Sequence, residues 1–121
     1  MSGLVGTSHS KSKRIGRSLD TCKFWASWTS GSNPDASFNC SSVNEDEAGG
    51  YKFNFLKAFN SVNYAVFGMS RSDDNNAERG AWMNFDGDDT HRTTTYFRVT
   101  THYANADLRD SELVTVGAFG D

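Results

Sequence analysis

The residues that could carry out catalysis or hold a metal ion are few and widely spaced. The three histidines are His9, His91 and His102, and no two of them stand at the spacing of metal ligands. The chain has two cysteines but no Cys-x-x-Cys motif, and none of its serines lies in a Gly-x-Ser-x-Gly turn. We therefore expect no enzymatic activity, no cofactor and no metal site.

Side-chain oxygens are concentrated in two predicted loops. Asp73, Asp74, Asn75 and Asn76 are consecutive in the first loop, and Asp86–Asp89 form the second. The second cluster lacks the ligands at positions five and twelve that an EF-hand calcium loop requires. Its Asp-Gly pair is typical of a tight hairpin turn. Weak cation binding or hydrogen bonding to a polar ligand is the alternative to a solvated loop.

Residues 1–19 differ in composition from the rest of the chain. Gly, Ser and basic residues dominate there, and the aliphatic residues are too few to form a core. Residues 1–23 carry five basic residues and one acidic residue, whereas residues 24–121 carry seven basic and fourteen acidic residues. We predict a flexible basic arm that binds a partner protein; nonspecific contact with RNA or DNA and a solvated tail are the alternatives. Its anchoring residues are Lys11, Lys13, Arg14 and Arg17.

Charge and hydropathy also exclude two classes of partner. The excess of acidic residues in the body gives it a field that repels phosphate, so we do not expect it to bind nucleic acid. The longest apolar run is only a few residues, so we expect no membrane-spanning helix.

Short segments of alternating polar and apolar residues fill residues 20–121 and predict β-strands. Leu occurs only five times, which argues against a helical bundle. The predicted strands are Thr21–Thr29, Ala36–Val43, Tyr51–Phe55, Val62–Met69, Gly80–Phe85, Thr93–Tyr103 and Glu112–Phe119. Turns separate them at intervals of roughly ten residues, a spacing typical of sandwiches and barrels. We predict an all-β fold, a small antiparallel β-sandwich of about seven strands and jelly-roll-like type.

Aromatic residues exceed what one small core needs, and they occupy both faces of the predicted strands. The strand Val62–Met69 is apolar on both faces and is predicted to be a central strand covered on both sides. Aromatic side chains on the outward faces of the strands predict a second packing surface, either a subunit interface or a patch that stacks on carbohydrate. The interface candidates are Trp25, Phe67 and Tyr96.

The two cysteines leave a disulfide open. Cys22 and Cys40 could form one bridge, although two cysteines are too few for a disulfide scaffold. The interpretation that we prefer is two small buried residues in adjacent strands.

Five segments in fixed order carry a resemblance to a known family. They are Thr21–Trp28, Ala36–Val43, Gly50–Phe55, Asn63–Val66 and Val114–Gly120. The most specific is the second, which has the pattern Ala-Ser-Phe-Asn-x-Ser-Ser-Val. In these segments the chain resembles the small C-terminal modules of tail-fibre proteins from marine and cyanobacterial phages, and the resemblance covers nearly all of residues 20–121.

The resemblance implies a structural protein of the phage virion, a fibre or knob module that assembles as a homotrimer. The basic arm is then expected to attach the trimer to another virion protein, either a tail adaptor or fibre or the major capsid protein. The polar loops are expected to face glycans of the host surface, through Asp73, Asp74, Asn75, Asn76, Trp82 and Asp88.

Two other functions remain open. One is a capsid decoration protein, of the cement or head-fibre kind, that has no receptor role. The other is a carbohydrate-binding module in which Trp25 or Trp82 provides the stacking platform. The position of the protein on an assembled particle separates the fibre and decoration roles.

Overall fold

Eight strands form two antiparallel sheets in the described part of the chain. The computed structural model describes residues 22–72, 82–85, 89–102 and 107–120. Its strands are β1 (Cys22–Trp28), β2 (Ala36–Phe38), β3 (Cys40–Glu47), β4 (Gly50–Phe55), β5 (Ala65–Ser72), β6 (Trp82–Phe85), β7 (Tyr96–His102) and β8 (Ser111–Phe119). The first sheet has the order β2-β1-β8-β5 and the second has the order β3-β4-β7-β6.

The side chains between the two sheets form an aromatic core. Phe24 of β1 meets Phe97 of β7 edge to face, with ring centroids 5.2 Å apart, and Phe97 stacks on Phe53 of β4 at 5.5 Å. All three side chains are fully buried, and burying a Phe contributes roughly 1.5–3 kcal/mol. The prediction of an all-β, sandwich-like fold is confirmed. Its jelly-roll-like character is not confirmed by these strand orders.

The predicted strand Ala36–Val43 is wrong in one respect, because the chain breaks it at Asn39 and changes sheets there. Asn39 has a φ of 62°, in the left-handed region that Asn tolerates better than most residues. Its side-chain amide donates to the carbonyls of Lys23 and Lys57, at 3.2 and 3.0 Å, and its Oδ1 accepts from the Lys57 N–H at 2.7 Å. β2 therefore lies in the first sheet and β3 in the second, which gives eight strands in place of about seven.

A tight hairpin joins β3 to β4, and the acidic residues before it belong to the end of β3. Glu47 pairs with Gly50, so the turn contains only Ala48 and Gly49. Gly49 has a φ of 73°, and a Cβ there would stand 2.7 Å from the Arg109 backbone nitrogen and 2.8 Å from the Thr101 carbonyl oxygen. Both the backbone conformation and the close approach of another chain segment therefore require glycine at this position.

The prediction of a central strand at Val62–Met69 is wrong. β5 begins at Ala65 and lies at the edge of the first sheet, paired only with β8 among the described strands. Val66 packs against the core, whereas Phe67 and Met69 face outward and are exposed. An apolar pattern on both faces is shared by a strand covered on both sides and by one with an uncovered apolar face, so periodicity alone does not separate them.

The two ends of the described β-sandwich lie side by side, because Cys22 at the start of β1 pairs with Phe119 at the end of β8. Cys22 and Cys40 are free thiols, each half-buried. Their strands belong to different sheets, so the expectation that they lie in adjacent strands is wrong.

Candidate interaction surface

The outer face of the first sheet is apolar, and we call it the apolar face. Five large apolar side chains belong to it and remain substantially exposed. They are Trp25 (43%), Phe38 (54%), Phe67 (51%), Met69 (77%) and Phe119 (36%). They come from all four strands, because alternate residues of each strand point away from the core.

One row of this face crosses the whole sheet through residues that lie directly opposite one another on neighbouring strands. Phe38 pairs with Trp25, Trp25 pairs with Gly117, and Gly117 pairs with Phe67. Gly117 leaves room for the ring of Phe67, since a Cβ at that position would stand 2.3 Å from the Phe67 Cζ. Phe67 in turn stacks on Phe119, with ring centroids 5.2 Å apart. The row is a flat apolar strip from one edge of the sheet to the other.

The centre of the apolar face carries no charge. The row beside the aromatic strip pairs Ala36 with Ser27, Ser27 with Thr115, and Thr115 with Met69. Charged groups begin at its border, where Arg71 forms an exposed ion pair with Glu112 at 3.1 Å. An uncharged apolar centre with a charged rim is typical of protein interfaces.

The size of the face also fits an interface. With strands about 4.8 Å apart and about 3.3 Å per residue, the three residues of β2 and about five from each of the other three strands cover roughly 300 Å² in projection. Apolar patches of this size on a monomer's surface commonly mark interaction sites.

The outer face of the second sheet has the opposite character. Arg98 donates to the Glu47 carboxylate at 2.6 Å, and the Asn54 amide donates to Asn44 Oδ1 at 2.7 Å. These hydrogen bonds link polar side chains of β3, β4 and β7. The two outer faces therefore differ sharply, and only the first offers extensive apolar surface within the described residues.

The structure brings two of the three interface candidates together. Trp25 and Phe67 lie on either side of Gly117 on the apolar face, whereas Tyr96 lies on the outer face of the second sheet. There the Tyr96 hydroxyl donates to the Thr90 carbonyl at 3.1 Å, and the Lys52 ammonium lies 5.2 Å from its ring centroid. Tyr96 is therefore half-buried by its own neighbours.

Three members of the apolar face were not among the sequence candidates. Met69 and Phe119 occupy the same alternation as Phe67 and Trp25, so extending the pattern along each strand would have found them. Phe38 alternates with Cys40 in the sequence, but the sheet change at Asn39 places these two residues in different sheets.

The remaining predicted site residues fall outside the part of the chain that can be described. These are the arm residues Lys11, Lys13, Arg14 and Arg17 and the loop residues Asp73, Asp74, Asn75, Asn76 and Asp88. The backbone of Trp82 is described, where it pairs with His102, but its side chain lies outside the description.

The carboxyl group of Glu45 has a shifted pKa. Burial and a hydrogen bond with Asp110 raise the pKa of Glu45. Asp110 also accepts the Gly49 N–H at 2.7 Å, so the pair braces the β3–β4 turn. Within the described ranges, no three His, Cys, Asp or Glu side chains cluster in a way that could hold a metal ion. No helix in those ranges has the length and apolarity to cross a membrane.

No protein-family model, no curated protein and no solved structure matches the chain.

Proposed function

We propose that this chain is a structural protein of a phage virion whose copies assemble through the apolar face. The observation that carries the assembly is the uncharged strip Phe38–Trp25–Gly117–Phe67 across a whole sheet. The resemblance to phage tail-fibre modules supports the virion role. Display on the particle brings the module close to the host surface, where contact with surface glycans is part of the proposal.

The proposed assembly is a homotrimer in which three apolar faces meet around one axis. The resemblance implies threefold symmetry. Closed rotational symmetry also buries the apolar face of every chain in the assembly. The apolar face of each chain then contacts the apolar faces of both neighbouring chains. Tyr96, on the other sheet, points away from this axis and has no part in the proposed interface.

The mass of the purified protein in solution tests the assembly. Light scattering coupled to size exclusion is expected to give about three times 13.3 kDa at micromolar concentration. The variants Trp25→Ser and Phe67→Ser are expected to shift the mass towards one chain, because each removes a large apolar side chain from the strip.

Leu56→Ser is the matched control, because Leu56 is exposed and apolar but lies outside the apolar face. It is expected to keep the trimer mass, and circular dichroism is used to check that all three variants stay folded. A wild-type protein that remains a monomer at micromolar concentration contradicts the proposed assembly.

A capsid decoration protein is the second candidate, and the apolar face favours it equally, because such proteins also assemble from identical copies. A cryo-electron map of the particle separates the two roles. Density at the tail supports the fibre role, and density over the capsid lattice supports decoration.

The partly exposed Trp25 supports a third candidate, a carbohydrate-binding module. That function requires the apolar face to be open in solution. A monomer whose tryptophan fluorescence changes on addition of an oligosaccharide, with the change lost in Trp25→Ser, would favour it over assembly.

A further inference from the structure

A cavity of about 640 Å³ opens where the chain passes from the first sheet to the second. Its walls are Lys23 of β1, residues 37–40 around the sheet change, and residues 56–60 after β4. We call it the corner cavity. It lies at the edge of the sandwich, and of the apolar face it includes only Phe38.

The walls of the corner cavity are held in place by Asn39. Its side chain bonds to the backbone of Lys23 and Lys57, as described above, and its carbonyl accepts the Leu56 N–H at 2.9 Å. Phe59 anchors the loop from the other side, because its buried ring stacks on Tyr64 with centroids 4.6 Å apart. The cavity is therefore preformed, which reduces the entropy that binding has to overcome.

The charge of the corner cavity is opposite to that of the body. Two lysines, Lys23 and Lys57, line it, and among the residues that the structure describes no Asp or Glu does. The body otherwise has twice as many acidic as basic residues. Cys40 adds no negative charge, because burial raises the pKa of its thiol to about 11. A concave site of one sign concentrates ligands of the other sign.

The remaining lining supplies an apolar wall and neutral hydrogen-bonding groups. Phe38 and Leu56 are exposed and form the apolar part. Ser37 and Asn60 also line the cavity and are its neutral polar residues, together with Asn39. Ligand sites commonly combine an apolar lining with a few polar groups that fix orientation.

We propose that the corner cavity binds a sugar unit that carries a carboxylate. Lys57 meets the carboxylate, Lys23 contributes a second positive charge, and Leu56, which lies outside the apolar face, packs against the C–H face of the sugar ring. The polar side chains of Ser37 and Asn60 bond to ring hydroxyls. This inference rests on the proposed contact with host glycans and gives that contact a ligand class, but it does not depend on trimer assembly.

Titration of the full chain with D-galacturonate, followed by amide NMR, tests the site. D-Galactose is the matched neutral ligand and acetate supplies a carboxylate without a sugar. We expect galacturonate to shift the amides of residues 56–60 and of Lys23, with smaller shifts from the other two. Added NaCl is expected to weaken galacturonate binding, because screening acts on exposed charges.

The variant Lys57→Gln removes one charge and retains the length of the side chain. It is expected to weaken galacturonate binding about two- to fivefold, the range of an exposed charge pair. Lys52→Gln is the control, because Lys52 lies on the outer face of the second sheet. Equal affinity for galactose, equal affinity in Lys57→Gln, or shifts confined to other residues would each overturn the proposal.

The experiment separates this inference from the proposed assembly. Phe38 borders both the apolar face and the corner cavity, so the titration is repeated on Phe67→Ser. Loss of galacturonate binding with the trimer mass intact rejects the cavity alone. A monomeric wild type that still binds galacturonate rejects the assembly alone, whereas both failures together remove the proposed glycan contact and the trimer.

Discussion

Phe53 and Lys52 are neighbours in β4 whose side chains lie in opposite environments. Phe53 is fully buried between Phe24 and Phe97, at centroid distances of 6.2 and 5.5 Å. Lys52 is half-buried on the outer face, with its ammonium over the Tyr96 ring. Adjacent residues therefore report on the register of the whole strand.

Phe53→Ala is expected to lower the free energy of unfolding by about 3–5 kcal/mol, because it leaves a cavity in the core. Lys52→Ala is expected to cost less than about 1 kcal/mol, the value of an exposed cation–π contact. Urea unfolding followed by tryptophan fluorescence measures both. Similar losses in the two variants would show that the register of β4 is wrong.

Tyr64 is a buried ionisable group with a consequence at high pH. Its hydroxyl donates to the carbonyls of Thr93 and Tyr96, at 2.7 and 3.2 Å. Burial raises the pKa of Tyr64 from 10.0 to about 12, and this outweighs the opposing effect of Arg92. The folded state thus favours the neutral phenol more than the unfolded state does.

A raised folded-state pKa gives stability that is complete below pH 10 and is lost as the pH rises towards 12. We therefore expect the unfolding free energy to fall across this interval. In Tyr64→Phe the fall is expected to be shallower, although Tyr51, whose pKa burial also raises, contributes to it. An identical pH profile in wild type and variant would contradict the assignment to Tyr64.

The change of sheet between β2 and β3 depends on one residue. Asn39 contributes both a left-handed backbone and a side chain that bonds to two other segments. Asn39→Gly keeps the backbone conformation accessible and removes the side-chain bonds. Asn39→Ala removes the bonds and also has to hold a Cβ in the left-handed region.

We expect Asn39→Ala to be less stable than Asn39→Gly by about 1–2 kcal/mol, the cost of the left-handed region for a residue with a Cβ. Thermal unfolding of the two variants, with the wild type as reference, measures the difference. If Asn39→Ala and Asn39→Gly prove equally stable, the change of sheet between β2 and β3 does not depend on a positive φ at residue 39.

The strands themselves were largely predictable from the sequence. Alternation identified β1, β4, β7 and β8 to within a few residues, because each has one face in the core and period two is a strong signal. The change of sheet between β2 and β3 was not predictable, since a single Asn inside Ala-Ser-Phe-Asn-Cys continues the alternation without a turn cluster around it. Pairing partners also lie far apart in sequence, so the edge position of β5 was hidden.

The sequence predicted that an outward apolar surface exists, but it identified only some of the residues that form this surface. The surplus of aromatic residues predicted an outward apolar surface, and Trp25 and Phe67 belong to it. Which outward residues share a face depends on sheet membership, and alternation within one strand does not contain that information. This is why Tyr96 was grouped with residues that lie on the opposite sheet.

At the scale of the whole molecule, we propose that the basic arm attaches the protein to the particle and that the acidic body folds and assembles without it. Deleting residues 1–19 is expected to leave the β-sandwich and its trimer mass unchanged, because the core formed by the described residues lies entirely beyond them. Attachment to the particle is expected to be lost. Quantifying the protein on purified particles measures this, and full occupancy by the truncated chain would show that the anchor lies elsewhere.

The pairing of Cys22 with Phe119 determines how the β-sandwich responds to force. Tension that draws these two points apart acts on the β1–β8 ladder from its open end, so the hydrogen bonds break one pair after another. Tension between either point and the far end of the sandwich loads many bonds together and meets more resistance. A module tethered near this pair would therefore withstand pulling at its opposite end better than pulling between its own two ends.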